Sequence, residues 1–384
     1  MTTVAHVPFR RRHPHAVLYG LLDSPVGVEL DPGSLQVWIY DWPAVLMNPA
    51  AQARFVHLMA ACYLAAATLV LSASAWYLLR GRNTRIARRS LTVAASFGLA
   101  SALSLAVLGD RNGHAASPGQ QMRIAAIAAE WHTRAAPAPF TIFGFPDGDR
   151  RVTRAAVDVP WLLGLGASHS WKRSVAGLDE LEAVNASRIR DGIAGFTTLD
   201  TPWADPAGVD GPVFDSGDSP NFGYALLLLR GTAHPARASD DQIAAAARST
   251  IPDVPLLFWT FRVMALLGAY GIALFGWAFW LASKRRLEQR TFLRVAACSL
   301  PLPWIAGALG WIVSEAGRGP WLIDGLLPIT RVHAIRHETI IGTIGGLTVA
   351  VLFVAGAMLL LRLVRLGPDG LKFWPADSGR TGKY

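Results

Sequence analysis

Five stretches, Leu58 to Leu79, Leu91 to Leu108, Leu256 to Ala282, Phe292 to Val313 and Ile340 to Leu361, run without an internal cluster of charge. Each matches the ~20 residues that a helix needs to cross the hydrocarbon core of a bilayer. Backbone polar groups in lipid must be satisfied within the segment, so the spans are helices, and the alternation of a membrane barrel strand is absent. The sequence therefore predicts an all-α integral membrane protein with about five transmembrane helices. Composition agrees: 52% of the 384 residues are hydrophobic and 16% charged, against about 25% charged in soluble domains.

Basic residues in short loops stay on the cytoplasmic side during insertion. Arg80, Arg82, Arg85, Arg88 and Arg89 join the first two spans, and Lys284, Arg285, Arg286, Arg290 and Arg294 join the third and fourth. Arg362, Arg365 and Lys372 follow the last. All three groups predict one topology, with a cytoplasmic C-terminus and a large extracytoplasmic loop between the second and third helices. The resulting division is 1–47 as an N-terminal extramembrane segment, 48–108 as a helix pair, 109–255 as the loop, 256–366 as a three-helix region and 367–384 as a tail. An odd number of spans puts the N-terminus outside, where Arg10, Arg11, Arg12, His13 and His15 lie against the charge rule, and no signal peptide is visible. The expectation from topology is a further helix before this start.

A loop of that length is expected to fold over the membrane surface. Met122 to Trp131 has helical spacing, with Ile124 and Ile127 on one side and Arg123 and Glu130 elsewhere. Thr198 to Ser219, rich in Gly, Pro and Asp, reads as irregular, and Ser239 to Ser249 as a helix capped by Ser-Asp-Asp. Cys62 and Cys298 both fall inside spans, which excludes a disulfide framework and favours buried small residues. The net charge of +9 follows membrane orientation, and no soluble basic face for nucleic acid is present.

Ligand-type residues at helix ends remain. His57 and Met264 each stand at the outer start of an inward-running helix, which puts them at similar depth. A His/Met pair is a known axial ligation of haem iron, while a histidine at a helix start also serves as a cap or interfacial group. Glu315, Arg318 and Trp321 follow the fourth span; they suit either proton uptake and the holding of an anionic group, or an aromatic belt with an ion pair. Arg262, two residues before Met264, stabilises an anion there or snorkels. His114, His132, His169 and His333 read as solvated loop residues.

Asn48-Pro-Ala-Ala-Gln-Ala-Arg-Phe-Val-His57, Ala94-Ala-Ser-Phe-Gly98, Val107-Leu-Gly-Asp110, Ala125-Ala-Ile127 with Glu130-Trp131, Phe140-Thr-Ile-Phe-Gly144, Phe261-Arg-Val-Met264, and Gly310-Trp311 through Trp321 together resemble subunit I of the cytochrome bd-type quinol oxidases. They cover the chain in order from about Ser24 onward. The resemblance implies that His57 and Met264 are axial ligands of a low-spin haem b that receives electrons from quinol. It groups Arg262, Glu315, Arg318 and Trp321 around that haem and makes the loop a quinol-covering Q-loop. Arg123 stands where the family commonly has a quinol-contacting lysine, and Glu130 lies on the same quinol side. Ala128 occupies a position that often carries a second carboxylate, and Gly319 stands in place of the usual glutamine between Arg318 and Pro320.

The ligands of the family's high-spin haem b and haem d lie on about four earlier helices that have no counterpart here. The implied function is thus the quinol-oxidising part of a terminal oxidase in a bacterial inner membrane, a quinol:oxygen oxidoreductase only with subunit II and a separate source of those helices. Two other readings stay open: a stand-alone membrane cytochrome b, and a non-functional remnant.

Overall fold

The computed structural model describes residues 23–31, 36–114, 120–135, 139–160, 175–198, 221–232, 234–329 and 336–367. The N-terminal basic group, His169, His333, Lys372, the tail from 368 and most of the Thr198 to Ser219 stretch lie outside the described residues. Among those residues, five helical stretches are long and apolar enough to cross a membrane: Trp42–Leu79, Thr84–Gly109, Val254–Ser283, Arg290–Arg318 and Gly346–Leu366. The protein is mostly helical, as the sequence predicts. Three two-stranded antiparallel hairpins, which the sequence reading did not contain, complete it.

In chain order the first hairpin is β1 (Val28–Asp31) with β2 (Gln36–Ile39), followed by the short α1 (Trp42–Leu46) and the long α2 (Pro49–Leu79). Helix α2 begins nine residues before the predicted Leu58, because its start is set by capping and not by hydropathy. Asn48 Oδ1 accepts from the Ala50 amide at 2.9 Å, and Pro49 follows it at the first helical position, where its missing N–H costs nothing. Next come α3 (Thr84–His114), α4 (Gln121–Ala128), the hairpin β3 (Phe140–Asp147) and β4 (Val152–Val159), and α5 (Leu178–Thr198). The short α6 (Phe222–Ala225) and two 3₁₀ turns precede α7 (Asp240–Arg248). Ser239 caps α7 in a reciprocal capping box with Gln242, which confirms the expected helix start.

Helix α8 (Val254–Ser283) is continuous, but the predicted fourth span is two helices, α9 (Arg290–Cys298) and α10 (Leu302–Arg318). Pro301 and Pro303 explain the break, since each lacks a donor and clashes with the preceding turn. At the end of α9 the Ser299 amide donates to Val295 O and Ala296 O, and hydroxyls add a second donor to each: Ser299 Oγ to Val295 O at 2.7 Å and Ser72 Oγ to Ala296 O at 2.8 Å. The third hairpin, β5 (Trp321–Ile323) with β6 (Leu327–Pro328), and α11 (Arg336–Leu366) close the order.

The chain divides into two compact units. The first combines Met1–Ala65, Ala100–Ala273 and Leu302–Arg331. Its loop segments fold on two apolar cores. One joins Met122, Ala125, Ala126 and Trp131 to Leu178 and Leu181 of α5 and to Val254, Leu257 and Phe258 of α8. The other gathers Ile189, Tyr224, Leu227, Leu228, Ile243, Ala246, Ala247 and Trp321. The second unit combines Ala66–Leu99, Leu274–Pro301 and Val332–Tyr384. There α3 and α8 touch where Gly98 presents no side chain; a Cβ at that point would lie 2.1 Å from the Phe275 ring. Cys62 and Cys298 are free and exposed, because their helix faces turn outward, a correction to the expected burial.

Arg262 fixes the β3–β4 hairpin to the start of α8. Its guanidinium donates to the carbonyls of Ile127 (2.9 Å), Phe258 (2.7 Å), Ile142 (3.2 Å) and Thr141, and it stacks on the Phe140 ring at 4.9 Å. Phe143 and Phe145 add ring contacts to Trp259 at 5.5 and 5.9 Å. At the other edge of the hairpin, Arg134 bridges Glu130 (2.7 Å) and Asp158 (3.0 Å), and Thr141 Oγ1 donates to Asp158 at 2.6 Å. The backbone carbonyls of Glu130 and Trp131 accept the Leu178 and Asp179 amides at the start of α5.

Glu130 is 2% exposed, and burial raises its pKa against the opposing pull of Arg134. Its folded carboxyl keeps a proton to higher pH than the unfolded one, so stability falls as pH rises from the ordinary glutamate value through the raised one. Glu130→Gln is expected to flatten that fall and to leave the thermal midpoint at neutral pH equal to or above the parent, because Arg134 keeps Asp158. Melting the purified protein across the acidic-to-neutral range checks this; a lower midpoint with an unchanged slope contradicts it.

Candidate functional site

Four membrane helices bring small and ligand-type residues together in the first unit. On α2, Arg54 and His57 stand one turn apart on one face. Arg54 Nη2 donates to Ser314 Oγ on α10 at 3.3 Å. Spans one and four run antiparallel, so one turn further along α2 reaches His57, and one turn back along α10 reaches Gly310. A Cβ at Gly310 would meet Met264 Sδ of α8 at 3.1 Å, and one at Gly109 of α3 would lie 3.5 Å from His57 Cε1. His57 and Met264 thus each face a glycine of a neighbouring helix. The His57 ring is half-buried, and its Nδ1 is buried without a hydrogen-bond partner among the described residues.

Above that level lies a cluster of three arginines. Asp23, whose side chain is 3% exposed, pairs with Arg54 and approaches Arg123 Nη1 at 3.9 Å. Arg318 pairs with Glu315 one turn earlier on α10. The Arg123 stem crosses α10 at Gly317, where a Cβ would lie 2.4 Å from Arg123 Cδ. The Arg123 side chain is 13% exposed. Burial lowers its pKa to about 10, with Asp324 opposing that shift and Arg318 adding to it. Arg54, Arg123 and Arg318 together create a positive potential that Asp23, Glu315 and Asp324 balance.

A polar cavity of about 20 Å³ beside this cluster is lined by Gln120, Arg123, Tyr224, Arg318, Trp321 and Asp324, among others. Gln120 Oε1 and Arg318 Nη1 are buried without partners among the described residues. Tyr224 accepts from Arg188 Nη1 at 2.8 Å and packs edge-on against Trp321 at 4.9 Å.

The sequence-predicted residues therefore separate. His57 and Met264 belong to the glycine-lined level. Arg123, Glu315 and Arg318 form the charged cluster, and Trp321 lies in the second apolar core beside it. Arg262 commits its donors to backbone carbonyls, and Glu130 sits in the hairpin clasp. Ala128, 1% exposed, packs under Phe140 and Val175. His132 is exposed and pairs with Asp179 at 2.7 Å. Sequence reasoning missed Arg54, Asp23, Gln120, Tyr224 and Asp324. Arg54 had a signal, a lone cation one turn from His57 at the head of an uncharged span. Asp23 meets it only through the fold.

The sequence matches the family described as cytochrome bd terminal oxidase subunit I over residues 16–368. It is 31% identical over 365 residues to cytochrome bd-II ubiquinol oxidase subunit 1 of Escherichia coli (strain K12), covering 92% of this chain and 70% of that protein. Cytochrome bd ubiquinol oxidase subunit 1 of Bacillus subtilis (strain 168) is 22% identical over 348 residues, covering 90% of this chain and 62% of that one. The bd oxidase structure from Geobacillus thermodenitrificans shares the fold with a TM-score of 0.62 at 20% identity, covering 92% of this chain and 66% of that one. Despite the shorter span, the family match covers nearly the whole sequence, and the chain belongs to the cytochrome bd terminal oxidase subunit I family.

Proposed function

We propose that this chain carries a low-spin haem b and the quinol-oxidising side of a cytochrome bd-type oxidase in a bacterial inner membrane. The observation that carries the proposal is the glycine-lined level, where an unpartnered His57 and the Met264 thioether come from separate helices, each against a residue with no side chain. His57 and Met264 would hold a haem iron, for imidazole and thioether are a known ligand pair that raises the potential. Gly109 and Gly310 let the two donors lie close against neighbouring helices. When bound, the haem supplies one-electron acceptor chemistry.

The remaining roles belong to the protein's own side chains. Arg54, Arg123 and Arg318 hold a positive field one turn from His57, suited to anionic groups such as a carboxylate or a deprotonating quinol. Arg123 keeps the charge of the family's quinol-side lysine but presents a planar fork. Its packing on Gly317 sets where that fork lies. Glu130 supports the quinol side through the hairpin clasp, and Arg262 through the hold of β3 on α8. The basic turns support a cytoplasmic C-terminus and an extracytoplasmic loop. Subunit II and a quinol are the partners, and oxygen reduction belongs to the complete assembly.

A reduced-minus-oxidised optical spectrum of the purified protein tests the haem. A low-spin b-type signal is expected, and His57→Ala is expected to abolish it; a signal that survives refutes the assignment. Gly310→Ala drives a methyl against Met264 Sδ and is expected to weaken or shift the low-spin signal, while Gly109→Ala makes ordinary contact and is expected to retain it.

Gly317→Ala tests the quinol side separately. It displaces Arg123, and quinol-driven haem reduction is expected to slow roughly 10- to 100-fold, with dithionite reduction and the spectrum unchanged. Stopped-flow mixing with quinol and then with dithionite measures both, and equal slowing by the two reductants points to damage at the haem instead.

A further inference from the structure

In the second unit, helix α11 ends in a stripe whose chemistry changes along its length. Met358, Leu361, Arg362 and Arg365 follow at three- and four-residue steps, so they share one face. With Leu366 they line a groove of about 380 Å³, a size that accepts part of a lipid-sized ligand. Its apolar part lies toward the middle of the span and its two guanidinia toward the end. All five residues are exposed, and neither arginine makes a hydrogen bond or ion pair among the described residues.

The surroundings reinforce the charge. Gly367, with φ +74°, ends the helix in the left-handed conformation, and its amide donates to Leu363 O at 3.1 Å. A Cβ there would lie 4.0 Å from Arg82 Nη2 and 3.7 Å from the Tyr77 hydroxyl, and that hydroxyl donates to Val364 O. The turn after α2 therefore brings Arg82 to the C-terminal end of α11. Among the described residues of the basic turns between α2 and α3 and between α8 and α9, Glu288 is the one acid, and it pairs with Arg88.

We infer that this groove binds one anionic phospholipid, its phosphate held by Arg362 and Arg365 with Arg82 near, and an acyl chain lying along Leu361 and Met358. A phosphate suits paired guanidinia, which donate in a fork. The stem of the groove excludes a free anion as the intended ligand, because an inorganic phosphate leaves the apolar length uncovered. Basic pockets at helix ends in membranes hold lipid headgroups by the same combination.

Native mass spectrometry of the full chain in detergent, titrated with dioleoylphosphatidylglycerol, tests the inference. The parent is expected to retain one such lipid and to discriminate against dioleoylphosphatidylcholine. The double variant Arg362→Gln/Arg365→Gln is expected to bind the anionic lipid roughly 25-fold more weakly. A second double variant, Arg89→Gln/Arg294→Gln, removes the same charge from exposed positions elsewhere in the unit and is expected to change affinity less than about threefold. Equal loss in both variants would reduce the effect to general attraction and overturn the site. Phosphatidylcholine bound as tightly, or the lipid displaced by millimolar inorganic phosphate, would overturn it as well.

Discussion

A guanidinium at the membrane boundary needs acceptors, and a helix has none to give except carbonyls already in use or carbonyls brought from elsewhere. Arg262 solves this by taking backbone oxygens from three other places in the chain, Ile127, Thr141 and Ile142, as well as Phe258 from its own helix. Those oxygens belong to the end of α4 and the first strand of the hairpin. Satisfying one half-buried charge therefore fixes the end of α4 and the hairpin against α8. The position of Arg123, and with it the charged cluster over His57, depends on that docking.

The same physics explains why the cluster is dense. Three arginines and three acids within one layer would repel or desolvate at great cost if any were unpaired. Asp23 answers Arg54 and Arg123 together, Glu315 answers Arg318, and Asp324 offsets Arg123. Glycines then decide which stems can pass. Gly317 lets Arg123 cross α10, as Gly310 lets the Met264 sulfur approach it. Ala128 is small for a comparable reason, since it lies under Phe140 where β3 begins.

The spans were legible because an apolar run of membrane length has few alternatives; His57 and Met264 were expected at helix starts, but their helices begin at Pro49 and Val254, two to three turns earlier. Their glycine neighbours carry no local signal, since a glycine in an apolar helix looks alike whether it faces lipid or another side chain. The hairpin β3–β4 was hidden because much of β4 is exposed and lacks the alternation that marks a half-buried strand. The break between α9 and α10 was averaged away by hydropathy, which does not register that Pro301 lacks a donor. Asp23 and Arg54, 31 positions apart in the sequence, meet only after the hairpin β1–β2 and α1 have folded between them.

That break has a consequence for how the first span tolerates change. The last turn of α9 collects donors from several places: the Ser299 amide serves Val295 O and Ala296 O, the Ser299 hydroxyl adds to the first, and the Ser72 hydroxyl of α2 adds to the second. The Ser72 bond ties α2 to the end of α9 across 224 positions of sequence. A larger apolar residue at 72 would preserve hydropathy and span length while removing that tie between the two helices.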